Sequence, residues 1–310
     1  MKTRRLGRSG LEVSIVGIGC NNFGGRSGPE ETRAVIAKAL DCGITLFDTA
    51  DVYGERGGSE TLMGEFLGAR RKDIVLASKF GMAMDEGRKK GGSRRYIMEA
   101  VEASLKRLRT DWLDLYQMHQ PDPSTPIEET MRALDDLVRQ GKVRYIGCSN
   151  FAGWQLSDAL WTSRMGGLEQ FISCQNEYSL VERGIEAELV PAMQHHGVSL
   201  LPFYPLAAGL LTGKYLADAQ VQGRLTKNPA MAKRHMNERK RAIAQGFDAY
   251  AKQQGHTLLE LAMSWLAHQP YVASVIAGAT KPEQIEANVK SVEWTMSGQD
   301  LAEIDRITRG

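Results

Sequence analysis

The feature that most restricts how this chain can fold is a set of eight short apolar runs separated by amphipathic stretches. They read SIVGIGC (14–20), TLFDTA (45–50), DIVLASKF (73–80), LDLYQMHQ (113–120), VRYIGCSN (143–150), FISCQNEY (171–178), SLLPFYP (199–205) and VASVIAGA (272–279). Their apolar residues are continuous rather than alternating with polar ones, the pattern of strands covered on both faces. Such strands need helices on one side and a filled interior on the other. Eight βα units with no break in composition predict an α/β fold, a single (β/α)8 TIM barrel occupying residues 1–310 as one domain. Ahead of them, TRRLGRSGLEV reads as a β-hairpin turning at Ser9–Gly10 and closing the barrel bottom.

The helices between the runs have legible ends. In STPIEETMRALDDLVRQG, Thr125 is the expected N-cap, Pro126 takes the first helical position and Gly141 follows the last periodic residue, with Ile127, Met131, Leu134 and Val138 on one face. Ser93 is expected to cap the helix carrying Ile97, Val101, Leu105 and Leu108, and Thr257 with Glu260 forms a capping box. A weakly periodic stretch at about 216 to 237 reads as a long loop after the seventh strand, on the active face; loops of that length are functional or disordered.

Charge and composition narrow the function classes. The 39 basic and 37 acidic residues leave a net charge of +2, so no excess points to nucleic acid or an anionic membrane. The densest basic run, GRKKGGSRR (87–95), has no interleaved aromatics and reads as a solvated loop. No apolar run reaches the roughly 18 to 20 residues of a membrane span. Glu12 interrupts the apolar part of the N-terminal segment and no small-x-small cleavage pattern follows, so a mature cytoplasmic chain is expected. Cys20, Cys42, Cys148 and Cys174 are scattered, with no C-x-x-C pair and no histidine at ligand spacing; reduced thiols are expected, without zinc or disulfides.

In a barrel of this kind the C-terminal strand ends converge on one mouth. The stretch FDTADVYG places Asp48 and Tyr53 there; Lys79 ends the third run, His119 the fourth, Ser149 and Asn150 the fifth, Gln175 lies in the sixth and Tyr204 ends the seventh. Singly each has an ordinary reading, as a turn carboxylate, a surface cation, a core histidine or a strand-end amide. Gathered at one mouth they suit protonation of a carbonyl oxygen. A free tyrosine titrates near 10, too weakly acidic for that task at neutral pH. An ammonium about 4 Å away contributes on the order of 4 kcal/mol at an effective dielectric of about 20, roughly three pKa units towards phenolate. Lys79 is therefore expected to tune Tyr53, Asp48 to keep Lys79 charged, and His119 to orient the carbonyl or pass the proton on.

GITLFDTADVYG, ASKF, DLYQMHQPD, GKVRYIGCSNF, CQNEYSL, PLAAGLLTGKY and GATKPEQIEANV occur in this order, and on them the chain resembles the aldo-keto reductases over nearly its whole length. The resemblance implies that Asp48, Tyr53, Lys79 and His119 form a catalytic tetrad, with Tyr53 protonating the carbonyl as hydride arrives from NADPH. It implies that Ser149, Asn150 and Gln175, beside Asp48, hold the nicotinamide carboxamide and that Tyr204 stacks on the ring. Leu206, Gly209, Lys214 and Arg224 correspond to the diphosphate side. Gly278, Thr280, Lys281, Gln284 and Asn288 correspond to the adenosine-phosphate end, where a helix N-terminus favours an anion. Lys281 beside a 2′-phosphate implies a moderate preference for NADPH over NADH, with NADH still usable. Ala287 stands where many members carry glutamate and Gln284 where some carry arginine, while Cys20 and Asn21 replace the threonine and aromatic common after the first strand.

Other readings compete. GIGCNNFGG begins like a dinucleotide fingerprint but has Asn22 in place of the third glycine, and no tyrosine has a lysine four residues on, as a short-chain dehydrogenase needs. A barrel lyase with Lys79 as a Schiff base leaves GATKPEQIEAN without a role. A non-catalytic, regulatory subunit that keeps the cofactor site, as some channel-associated relatives of the family do, is opposed by the intact tetrad. The expected partner is a small carbonyl or alcohol, with Phe23, Trp112 and Trp154 as candidate aromatics of the mouth; oligomeric state leaves no signature in the sequence.

Overall fold

The computed structural model describes residues 1–87, 89–217 and 223–309. An antiparallel pair, β1 (Thr3–Arg5) and β2 (Glu12–Ser14), precedes the barrel strands β3 (Val16–Gly19), β4 (Leu46–Asp48), β5 (Val75–Phe80), β6 (Leu113–Met118), β7 (Val143–Ser149), β8 (Phe171–Gln175), β9 (Ser199–Leu200) and β10 (Val275–Gly278). They pair in the order β10-β3-β4-β5-β6-β7-β8-β9, each neighbour parallel. A bridge between Leu200 and Val272, and a bond from Ile276 N to Pro202 O at 3.2 Å, bring the two ends of this order together. Each apolar run thus contributes one strand of a (β/α)8 fold. β9 is the shortest because Pro202 and Pro205 lack the amide hydrogen a ladder needs.

Strand register decides which side chains face inward. Leu46, Val75, Ala77, Leu115, Leu201, Ala273 and Ile276 pack with Leu6 and Val13 of the hairpin as one buried cluster inside the barrel. Their strand neighbours Phe47, Leu76 and Tyr116 enter a second, larger cluster beneath the helices. The hairpin therefore plugs the barrel interior, as expected, and its turn, residues 7–10, includes Ser9–Gly10 but also requires Gly7. Gly7 has φ +60°, and a Cβ there would collide with the Ile172 carbonyl oxygen. Leu6 N donates to Leu11 O at 2.8 Å and Ser9 Oγ to Leu6 O at 2.7 Å, while Arg4 ties the hairpin to the main-chain carbonyls of Gln269 and Val272 at 2.8 and 2.6 Å.

The helices are α1 (Pro29–Asp41), α2 (Tyr53–Leu67), α3 (Arg94–Leu108), α4 (Ile127–Arg139), α5 (Gly153–Gly166), α6 (Leu189–His196), α7 (Lys214–Ala217), α8 (Arg224–Lys227), α9 (Pro229–His235), α10 (Glu238–Gln253), α11 (Leu258–His268), α12 (Pro282–Lys290) and α13 (Gly298–Arg309). Ser93 Oγ caps α3 by accepting from Tyr96 N, and the Thr257–Glu260 box opens α11, both as expected. At α4 the expectation fails: the Thr125 hydroxyl donates to Asp122 Oδ2 at 2.7 Å instead of capping the helix. The Asp122 carboxylate also accepts from Gly92 N and Ser124 N, at 2.8 and 2.9 Å, because an ionised acceptor outcompetes a hydroxyl for turn donors. The stretch expected as a loop at about 216 to 237 is largely α7, α8 and α9, helices of four to seven residues that are too short to print a period in sequence; its residues 218–222 lie outside the described ones. Of the basic run, Arg94 and Arg95 begin α3 and Arg88 lies outside the described residues. Among the described residues no helix is long and apolar enough to cross a membrane, and no group of three or more His, Cys, Asp or Glu side chains is placed to hold a metal.

Candidate active site

The inward positions near the C-terminal ends of β4, β5, β6 and β8 are polar where those below are apolar: Asp48, Lys79, Gln117 and Gln175, all buried. The register sets Lys79 beside Gln117 and Ser149 beside Gln175. Lys79 Nζ lies 2.6 Å from Asp48 Oδ2, donates to Thr49 O at 2.9 Å and reaches Tyr53 Oη at 3.4 Å. The second oxygen of Asp48 accepts from Gln175 Nε2 at 2.9 Å and Gln117 Nε2 at 3.1 Å. Asp48 is thereby saturated, a buried carboxylate that keeps its partner cation in place. His119, immediately beyond β6, meets Tyr53 edge to face with 5.6 Å between ring centroids. Asn150 Nδ2 donates to His119 O at 2.9 Å and to Ser149 Oγ at 3.1 Å, and Ser149 Oγ donates to Gln175 O at 2.8 Å. The four residues expected as a tetrad are thus brought together, with Ser149, Asn150 and Gln175 against them.

Electrostatics depart from the expectation at Tyr53. Burial pushes its phenol above the ordinary value; Lys79 opposes this, and Asp48 adds to the rise. The ammonium does not bring the phenol down because burial outweighs it and the carboxylate bonded to it offsets part of its field. For Lys79, burial alone would lower the pKa, but Asp48 and Tyr53 outweigh it and the amine is held charged. Burial, then Lys79, push His119 down to about 3, so its imidazole is neutral at physiological pH. Its Nδ1 is buried without a hydrogen-bond partner.

Above these groups opens a cavity of about 450 Å³. Tyr53, His119, Asn150 and Tyr204 are among the residues at its base and wall, and Leu206, Gly209, Lys214 and Arg224 line one extension. Arg224 Nη2 donates to Tyr204 Oη at 3.1 Å and its guanidinium lies 5.0 Å over that ring. Gly278, Thr280, Gln284, Ala287 and Asn288 line the other end. Lys281 is exposed at the N-cap of α12 and is not among the lining residues; Gln284 folds back to accept from Thr280 N at 2.7 Å. The backbone is strained around this cavity: Asn150, Tyr204, Ala207 and Ala208 all have positive φ. So does the start of α2, where Gly54, Glu55 and Arg56 form a left-handed turn directly after Tyr53.

None of the three candidate mouth aromatics lines the cavity. Phe23 is fully buried, Trp154 is 64 % exposed, and Trp112 sits before β6, at the opposite end of the barrel, under the guanidinium of Arg71. Met82 and Phe203 line it instead. Gln117 and Arg26, the latter also lining the cavity, escaped the sequence reading. The spacing Leu115-Gln117-His119 carried the signal for Gln117, since alternate residues share the inner face; nothing marked Arg26.

The parallel barrel, with a buried polar cluster at its C-terminal strand ends and a cavity above it, is the architecture of a barrel enzyme. The chain belongs to the Aldo/keto reductase family, whose profile matches residues 15–309. It is 36 % identical to a probable voltage-gated potassium channel subunit beta of Arabidopsis thaliana, over 94 % of this chain and 92 % of that one. It is 34 % identical to the L-glyceraldehyde 3-phosphate reductase of Escherichia coli K12, over 99 % of this chain and 92 % of that one, and 34 % identical to an uncharacterized oxidoreductase of Bacillus subtilis, over 100 % and 97 %.

Proposed function

We propose that residues 1–310 form one catalytic domain of an NADP(H)-dependent oxidoreductase that reduces aldehydes or ketones to alcohols, or runs the reverse. The observation that carries this is the chain of contacts from Asp48 through Lys79 to Tyr53, with a neutral His119 beside the phenol. NADPH, when bound, supplies the hydride. Tyr53, protonated at neutral pH, gives its Oη proton to the carbonyl oxygen, and the adjacent ammonium stabilises the phenolate left behind. His119 orients the carbonyl with a ring N–H. The residues suit the cofactor: Nδ1 of His119 is an unpaired buried polar atom, Tyr204 offers an aromatic face, Ser149, Asn150 and Gln175 offer amide and hydroxyl groups, and Lys214 and Arg224 offer positive charge along the trough. Four free cysteines suit a reducing, cytoplasmic setting.

The relatives named as channel subunits support a second reading, a cofactor-binding subunit without turnover. Against a Schiff-base lyase, Lys79 is 0 % exposed and its amine is engaged beneath Tyr53. A carbonyl panel followed at the reduced-nicotinamide absorbance tests the proposal. Wild type should turn over, and Tyr53→Phe should lower kcat by about 10² or more while NADPH affinity barely changes. Near-normal turnover in the variant, or none in wild type, would reject it.

A further inference from the structure

Beneath the Tyr53 segment, on the outer side of the barrel wall, lies a buried polar cluster that the proposed chemistry does not use. Asp51, two residues before Tyr53, is 1 % exposed, and its backbone N donates to the carbonyl of Lys79 at 3.1 Å. It is therefore attached to the same strand end as the site. Its Oδ2 accepts from Tyr96 Oη at a long 3.4 Å, and its Oδ1 has no partner. Glu60 faces it from α2, Tyr96 and Arg107 from α3, and Tyr116 from β6, whose buried hydroxyl also lacks a partner. Arg107 Nε donates to Glu60 Oε2 at 2.7 Å and Ser78 Oγ, from β5, to Glu60 Oε1 at 2.5 Å. The cluster thus holds two carboxyl groups and one cation, and the cation is committed to Glu60. With both acids ionised, a negative charge is buried without a counter-ion, which is strongly disfavoured. A proton on Asp51 removes it.

We infer that Asp51 is a positioning residue whose protonation state sets how firmly the segment 49–53 holds Tyr53 against Lys79. Protonated, the cluster is neutral and the segment packs with Thr49 O and Tyr53 Oη both on the Lys79 ammonium. Ionised, the carboxylate is drawn towards water, and its movement carries the Asp51 backbone, and with it Tyr53, away from the end of β5. Burial, then Glu60, push the Asp51 carboxyl up to about 7, which puts the change within the physiological range. This role rests on the assignment of Tyr53 as proton donor.

The test is the pH dependence of kcat for carbonyl reduction in wild type and Asp51→Asn, alongside an infrared titration of the protein for a buried protonated carboxyl group. Wild-type kcat should fall about threefold to tenfold between pH 6 and pH 8, and the asparagine variant should stay within about twofold. The carboxyl band should disappear from wild type with a midpoint at about 7 and be absent from the variant. Glu60→Gln releases Arg107 towards Asp51 and should move both the band and the kcat limb to lower pH, which preserves the test if the asparagine variant does not fold. A kcat limb that survives in Asp51→Asn, or a wild-type band that titrates near the ordinary carboxyl value of about 4, would overturn the inference. The infrared titration needs no turnover: a band at the expected midpoint together with full activity in Tyr53→Phe would reject the functional reading and, with it, the role of Asp51 in that reaction.

Discussion

Asp51 has a consequence for stability as well as for the site, and its sign is set by its partners. In the folded chain burial, then Glu60, push its carboxyl up to about 7, above the unfolded value of about 3.9. A carboxyl raised by folding favours the folded state when protonated, so its contribution is fully present below about pH 4 and is lost as pH rises to 7. Asp51→Asn is neutral at every pH. It is expected to raise stability by about 1 to 3 kcal/mol at pH 8 and to leave it within about 0.5 kcal/mol at pH 4. Denaturant titrations at the two pH values measure this, and an equal effect at both would count against a buried ionised Asp51. Lys281 poses the opposite case, an exposed cation at the N-cap of α12 with no side-chain cap bond to hold it. If it meets the 2′-phosphate, Lys281→Ala should weaken NADPH binding about tenfold, or about 1.4 kcal/mol, leave NADH unchanged and flatten the salt dependence for NADPH. An unchanged NADPH/NADH ratio in a fluorescence titration would remove Lys281 from the cofactor site.

At the scale of elements, the turn that opens α2 connects sequence, strain and site most directly. Gly54 has φ +65°, and a Cβ there would collide with Phe23 O and Ser59 N. Glu55 and Arg56 take similar left-handed values without a glycine's freedom, at a cost of about 1 kcal/mol or more each. Such strain persists because the neighbouring backbone leaves the segment nowhere else to go. Gly54→Ala is expected to lower stability by about 2 to 4 kcal/mol and kcat by about tenfold or more, since a displaced Tyr53 loses its alignment. Thermal melts and steady-state kinetics check the two effects separately; a stable, fully active variant would show that this turn does not position the phenol. Gly54, at the end of FDTADVYG, marks a turn in the sequence but not its hand, because left-handed backbone here is enforced by contact with the distant Phe23 loop.

For the molecule as a whole, the hairpin and the site occupy opposite ends of the barrel interior, so stability and chemistry should separate. Leu6 is fully buried in the inner cluster. Leu6→Ala should cost about 2 to 4 kcal/mol of stability while kcat changes less than about twofold. A large loss of kcat at a temperature where the variant is folded would show that the plug and the site are coupled. The eight strands, the parallel barrel, the hairpin, two of three expected helix caps and the polar residues at the strand ends beneath the cavity were legible in the amino-acid order, because each is written in local pattern: continuous apolar runs, capping residues and polar residues at run ends. Other features were not. Gln117 looks like any other strand amide until register turns it towards Asp48. The helices α7, α8 and α9 are too short to show a period. Tyr53 was expected below its ordinary pKa and stands above it, because burial and the Asp48 carboxylate, both products of packing, outweigh the one favourable neighbour a sequence can suggest. Order along the chain determined which groups exist and at which strand ends they emerge; only the closed barrel decided which of them lose water and whose field each one feels, since desolvation and charge pairing act between residues distant in sequence.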